Sequence, residues 1–405
     1  MTYITPFWAL LTAFIITYLT IPGIIEIATD KRLCDEPNNR SSHSRTMPTL
    51  GGIGIMAGFI LSFLFWGKFS IGLNYVICGL VIIFGVGLRD DIVGLTSIQK
   101  LVGQILVAGM LLLSGVEINS LGGIFGIFEI TPIVSIPLSI LIVVLIVNSF
   151  NLIDGINGLS GSLAVLTMTV LGLWFAGVGQ ELYAIIAFSV IGATLAFLRY
   201  NLANAKIFMG DSGSLMLGYF AAFLILKFLS LQQTQIDPYY QIESAPGIAL
   251  GIVMIPVFDT LRVFFIRILD KKSPFSSDRR HIHHLLLDSG LSHLQATLVL
   301  LLVNTFFIGA ALSLAPLGSS MLIVLLFAMG FLLVYPLQLL RAKKIQTNDN
   351  QVMVPEILEK GVLNLTKEYV PSNDYVTRNR IKRNNSTRKK QRNEKVLSDN
   401  EVGAQ

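Results

Sequence analysis

Five polar clusters interrupt an otherwise apolar chain, and four of them hold residues suited to phosphoryl chemistry. Asp90-Asp91 places two carboxylates side by side. Like charges that close raise at least one pKa unless a cation neutralises them. A hard ion such as Mg²⁺, which binds through a few carboxylates and substrate phosphates, is a natural partner. Helix-end charges facing water would look the same, so the pair alone leaves both readings open. Asn148-Ser-Phe-Asn-Leu-Ile-Asp-Gly-Ile-Asn-Gly158 follows one long apolar run and precedes another. Polar and ionisable groups at a membrane boundary are costly and mark function by default; the rival is a Gly/Asn turn. In Phe208-Met-Gly-Asp-Ser-Gly-Ser214, small residues open a helix. Exposed N–H groups there suit a phosphate, and Asp211 could share a metal with it. A plain N-cap is the competing account. His281-Ile-His-His284 stands beside Arg279 and Arg280. Zinc is one candidate, disfavoured by the adjacent cations and the lack of a nearby Cys. Cationic His and Arg suit a pyrophosphate better. The first loop adds Arg40, His43 and Arg45 and closes on Gly51-Gly52, where a ligand or another backbone can approach closely.

The elements that must position these clusters are membrane helices. Of 405 residues, 53% are apolar and only 14% charged, well short of the quarter or so typical of soluble domains. Apolar runs fall near 4–25, 51–66, 71–88, 101–115, 133–149, 159–177, 182–198, 212–230, 246–268, 293–314 and 318–340. That predicts an all-α polytopic membrane protein of about eleven transmembrane helices. The first run has no basic flank or small-residue cleavage site and reads as a retained helix. Cys34 and Cys78 sit in unlike surroundings, so neither a disulfide nor a thiolate metal site is expected. Basic residues gather in alternate loops, among them Arg40, Arg89, Lys100, Arg199, Lys206 and Arg267. The positive-inside rule then places the N-terminus outside, the C-terminus in the cytoplasm, and all five polar clusters on the cytoplasmic face. Residues 114–131, with their glycines and alternating Ile/Phe, predict a small outer hairpin. Residues 1–340 form the transmembrane domain; 341–405 read as a polar, basic, disordered cytoplasmic tail. There is no Walker loop and no Gly-x-Gly-x-x-Gly, so an ordinary ATPase or dehydrogenase is not indicated. A cation-coupled transporter would carry its acids near the bilayer midplane, whereas these sit at helix ends. A membrane scaffold without chemistry would need none of them for turnover.

Taken in order, Pro48-Thr-Leu-Gly-Gly52, Asp90-Asp91, Asn148-x-x-Asn-x-x-Asp-Gly155, Phe208-Met-Gly-Asp211 and His281-Ile-His-His284 resemble the polyprenyl-phosphate N-acetylhexosamine-1-phosphate transferase family. The likeness covers Ile4 to about Leu340. Ser273-Pro-Phe-Ser-Ser-Asp278 resembles the WecA/TagO-like branch more than the MraY branch, which favours UDP-N-acetylglucosamine as donor. The resemblance implies transfer of a sugar 1-phosphate from a UDP-N-acetylhexosamine to undecaprenyl phosphate, with release of UMP, in the bacterial cytoplasmic (inner) membrane. It implies Mg²⁺, or Mn²⁺ in its place, and allows a homodimer. Asp211 would ligate the metal, with Asp91 in support. Asp90 would deprotonate or orient the lipid phosphate. Asn151, Leu152, Asp154, Asn201, Phe208 and Gly210 would surround the uridine end. His281, His283, His284 and Arg279 would hold phosphate or sugar, with Arg45 a further candidate. Many members of the family carry a second Asp where this chain has Asn157, and Asn cannot serve there as a base.

Overall fold

The computed structural model describes residues 3–31, 33–35, 47–202, 204–233, 240–273 and 279–339. Arg40, His43 and Arg45 of the first loop, residues 274–278 before the histidines, and the whole 341–405 tail lie outside the described residues. The chain divides into a unit Met1–Arg341, to which all the described elements belong, and a unit Ala342–Gln405.

Each expected apolar segment is helical. In chain order the helices are α1 Ile4–Asp30, α2 Gly51–Trp66, α3 Ile71–Val93, α4 Ser97–Leu113, α5 Pro132–Ile153, α6 Leu159–Gly177, α7 Glu181–Asn201 and α8 Gly210–Gln232. They continue as α9 Ala245–Ile252, α10 Met254–Leu269, α11 Ile282–Asp288, α12 His293–Leu314 and α13 Ser319–Leu339. Among the described residues seven helices are long and apolar enough to cross a membrane, or eight if α9 and α10 count as one broken span. The helices α2 and α4 are apolar but shorter, at 16 and 17 residues.

The single run expected at 246–268 is two helices meeting at 84°. Pro256 explains the break. It has no N–H to give the carbonyl four residues back, at Ile252. Asn304 of α12 supplies the missing donor: its Nδ2 gives to Ile252 O at 2.9 Å, and its Oδ1 accepts from Ile255 N at 3.0 Å. Backbone groups freed inside an apolar bundle need such partners.

The helix α8 is the centre. It packs against α2, α3, α5, α6 and α7, and nearly all of it is buried. Lipid gives no hydrophobic drive between helices, so close packing of small residues does the work. A Cβ at Gly218 would come within 2.8 Å of Val147 Cα on α5, and one at Gly52 within 2.8 Å of Gly213 Cα. Two short antiparallel pairs complete the fold. Cys34–Asp35 pairs with Met47–Pro48. The hairpin expected in 114–131 is present as β3 Ser120–Ile124 and β4 Ile127–Glu129, numbering the first pair β1 and β2. Its two-residue turn, Phe125-Gly126, has both φ values positive, at 51° and 77°, as the strand twist prefers. The hairpin is tied to the start of α13, where Ser319 donates to Gly122 O at 2.7 Å.

Candidate active site

The carboxylates are positioned from α3 and α8. Asp90 lies in the last turn of α3, and its Oδ1 accepts from Leu95 N at 2.6 Å. That bond shapes the turn into α4, where Thr96 and Gln99 form a capping box. Lys100 therefore emerges one turn into α4. Its ammonium bridges Asp90 Oδ2 at 2.6 Å and Asp211 Oδ2 at 2.5 Å. Two acids from separate helices thus share one cation. In the sequence Lys100 stands out only as one basic loop residue among several. Its spacing from Asp90, one turn into the next helix, is the available signal.

Asp91 has a different task. Its two oxygens accept from Asp211 N at 2.6 Å and Ser212 N at 3.0 Å, capping the start of α8. The plain N-cap account of this helix is therefore right in kind, but the cap is Asp91 of α3. Gly210, at φ +74°, leaves the room: a Cβ there would lie 2.6 Å from Asp91 Oδ2. The Pro48–Gly52 turn locks onto the same place from the other side. Phe208 N donates to Pro48 O at 2.7 Å, Gly51 N to Phe208 O at 3.0 Å and Gly52 N to Met209 O at 2.9 Å. What approaches Gly51-Gly52 is another backbone. Asn201 likewise turns to backbone, accepting from Gly158 N at 2.6 Å and donating to Ile207 O at 2.8 Å.

A cleft of about 370 Å³ opens beside Lys100, a size that accommodates a nucleotide-sized ligand. Ser97, Lys100 and Leu101 line it from α4, and Asn148, Asn151 and Leu152 from α5. Asp154 and Gly155 follow in the turn, Phe264 and Arg267 come from α10, and His281, His283 and His284 close it. Of the residues expected to bind, Asn151, Leu152, Asp154 and the three histidines are brought together. Asn201, Phe208 and Gly210 set the frame and do not line the cleft. Arg279 is not among the lining residues either and pairs with Asp288 at 3.5 Å. Arg267 does line it and is only 2% exposed. The sequence does not single it out, because one arginine at a helix end looks like any positive-inside residue. Asn151 Nδ2 donates to Ser214 at 2.9 Å, and Asn157 holds Thr297 through its backbone oxygen at 2.9 Å.

The charge states follow from burial. Asp154, the C-cap of α5, has its carboxyl held well above the usual range by burial, then by the facing charges of Asp211 and Asp91. His283 is pushed down to about 3, first by burial and then by His284. His284 is pushed down to about 4, first by burial and then by Arg279. The expectation of cationic histidines is corrected for these two: at neutral pH they are neutral. Both ring nitrogens of His283 and Nδ1 of His284 are buried without a protein partner. Such groups are costly unless something hydrogen-bonds them. Gly155 matters here because a Cβ would strike His283 Nε2.

A carboxylate pair about Lys100, at the side of a cleft that holds unpartnered imidazoles, suits an anionic, phosphorylated ligand. The glycosyl transferase family 4 profile matches residues 73–229, which include Asp90, Asp91, Asp154 and Asp211. A Bacillus subtilis protein described as a probable undecaprenyl-phosphate N-acetylglucosaminyl 1-phosphate transferase is 33% identical over 334 residues, covering 80% of this chain and 90% of its own. The chain belongs to glycosyl transferase family 4. Further relatives are described as undecaprenyl-phosphate alpha-N-acetylglucosaminyl 1-phosphate transferases. The Salmonella typhi protein is 30% identical over 322 residues, 77% of this chain and 85% of its own. The Escherichia coli K12 protein is 30% identical over 339 residues, 80% of this chain and 88% of its own.

Proposed function

We propose that this family 4 enzyme transfers N-acetylglucosamine 1-phosphate from UDP-N-acetylglucosamine to undecaprenyl phosphate and releases UMP. One observation carries the reading: Asp90 and Asp211 meet at a single cation beside a cleft in which both ring nitrogens of His283 and Nδ1 of His284 lack protein partners. The relatives' shared description names the acceptor lipid and the transferred group. The enzyme is a multi-pass membrane protein. Eleven crossings, an outside N-terminus and a cleft on the cytoplasmic side of the bacterial inner membrane fit the loop charges.

In this mechanism a lipid phosphate oxygen attacks the donor's β-phosphorus. The bond from that phosphorus to the oxygen bridging to UMP breaks, and UMP leaves with that oxygen. Asp90 orients the attacking phosphate. Asn151, Leu152 and Gly155 take the uridine end. His283 and His284 hydrogen-bond sugar or phosphate oxygens, and Arg267 neutralises phosphate charge. The donor set fits Mg²⁺, with Mn²⁺ the alternative: Asp211 and Asp90 already gather a cation. Among the described residues no three His, Cys, Asp or Glu side chains form a ready cage. Mg²⁺ bound through one or two carboxylates and substrate phosphates needs none. When bound, the ion would neutralise pyrophosphate charge. Asp91 then serves by fixing Asp211 at the start of α8.

The test is UMP release by purified protein with UDP-N-acetylglucosamine, undecaprenyl phosphate and Mg²⁺, each omitted in turn. Release that needs all three and disappears in a folded Asp211→Asn variant supports the reading. Release only with another UDP-N-acetylhexosamine changes the donor. No release with any donor favours a transporter. UMP release without lipid, or a trapped phospho-Asp90, favours a two-step route through an aspartyl phosphate.

A further inference from the structure

Asp259 and Arg262 stand one turn apart on α10 and are 1% and 5% exposed. Neither has a part in the transfer step proposed for this enzyme, although burying an ion pair is costly unless every remaining bond is made. Here most of the bonds are made, although Arg262 Nε is buried without a partner, and they converge on one segment. The Asp259 carboxylate accepts from Arg262 Nη2 at 2.7 Å, from His281 Nδ1 at 2.9 Å, and from Ile282 N at 3.1 Å to each oxygen. Arg262 also donates to Arg280 O at 2.5 Å. So α10 grips residues 280–282, the entry to α11. A carboxylate that accepts from Arg262 and a backbone amide at once is ionised, so the proton between it and His281 lies on Nδ1. His281 then stacks on His283 with centroids 5.7 Å apart and planes 9° apart, and His283 meets His284 at 4.3 Å. Fixing the first ring fixes the row.

We propose that Asp259, held by Arg262, is a positioning residue for the transfer: it keeps the His281 proton on Nδ1 and so turns Nε2 to the donor pyrophosphate in the cleft that His281 lines. The inference rests on the transferase reading. Donor binding then brings one proton from water onto Nε2, so that a phosphate oxygen accepts from Nε2 while Asp259 accepts from Nδ1 and the ring donates at both nitrogens. It then carries a positive charge to the pyrophosphate, with Asp259 as its counter-charge. A buried acid three residues before an arginine, inside an apolar run, is legible in the sequence as an ionisable pair out of place.

The test compares full-length wild type, Asp259→Asn, His281→Gln and the double variant in lipid nanodiscs. Asn keeps the shape of Asp259, but its amide nitrogen donates to Nδ1 and moves the His281 proton to Nε2. Expected is a fall of roughly 10²-fold in kcat with little change in donor KM or melting temperature. The double variant is expected to be no slower than His281→Gln alone, because both changes remove one unit. Histidine ¹⁵N spectra, with His281 assigned by its absence in His281→Gln, should show Nδ1 protonated in wild type and bare in Asp259→Asn. Additive losses, a defect confined to KM or to folding, or a wild-type His281 without a proton on Nδ1 overturns the proposal. If Asp259→Asn does not fold, the wild-type spectrum decides. If wild type releases no UMP with any donor, the transferase reading fails, and the spectra still judge what Asp259 does to His281.

Discussion

Asp154 is a carboxyl kept where ionisation is unfavourable, by burial and by two facing acids. Its folded pKa lies above its unfolded value, so the stability it contributes is present below the unfolded pKa and is lost as pH rises through the folded one. Asp154→Asn should therefore raise the melting temperature at neutral pH while lowering turnover, a trade between stability and activity. His283 works the other way. Its pKa falls from an ordinary 6.5 to about 3, so between those values the unfolded chain binds the extra proton. Stability is full above about pH 6.5 and declines as pH falls, by up to about 1.4 kcal/mol per pH unit. Thermal unfolding of wild type between pH 6.5 and 4 should show a slope of that sign, and His283→Gln should reduce it, leaving the share due to His284. The acids and histidines are legible in sequence because their types cluster. Which of them face the cleft is not. Asp91 and Asn201 read like binding residues, yet they hold backbone, because helix rotation decides where a polar side chain points. Lys100 and Arg267 carry only the signal of any basic residue at a helix end.

At the scale of elements, helix positions follow directly from apolar length; α2 and α6 begin and end where the runs do. Pro256 announces the break between α9 and α10, but composition alone sees one apolar run there. What completes the break is Asn304, 48 residues beyond Pro256 in the chain, which no local pattern reveals. Asn304→Leu should leave two buried backbone groups without partners, at about 1–3 kcal/mol each. Thermal unfolding checks it, with a lower melting temperature expected. The start of α8 is held by backbone contact and not by long side chains. A Cβ at Gly87 would sit 2.5 Å from both Asp211 O and Ser212 Cα. Gly87→Ala should cost about 1–3 kcal/mol through overpacking. It should also lose more UMP release than a same-sized change at Gly85, whose Cβ would meet nothing.

For the whole molecule, the alternation of loop charge and apolar run sets out the architecture, while the meeting of distant segments at one cleft emerges only in three dimensions. The Lys100 bridge between Asp90 and Asp211 has a practical corollary. The acids that would recruit a divalent ion already have a built-in counter-ion, so the resting fold does not depend on one. Chelator should silence UMP release without lowering the melting temperature, and added Mg²⁺ should restore turnover without any refolding lag. Lys100→Met should reverse this: with the two acids left facing each other, its melting temperature should come to depend on divalent ion. On the proposed Mg²⁺ requirement, the enzyme would then keep metal-free in storage, dormant but intact, until a magnesium salt switched it on.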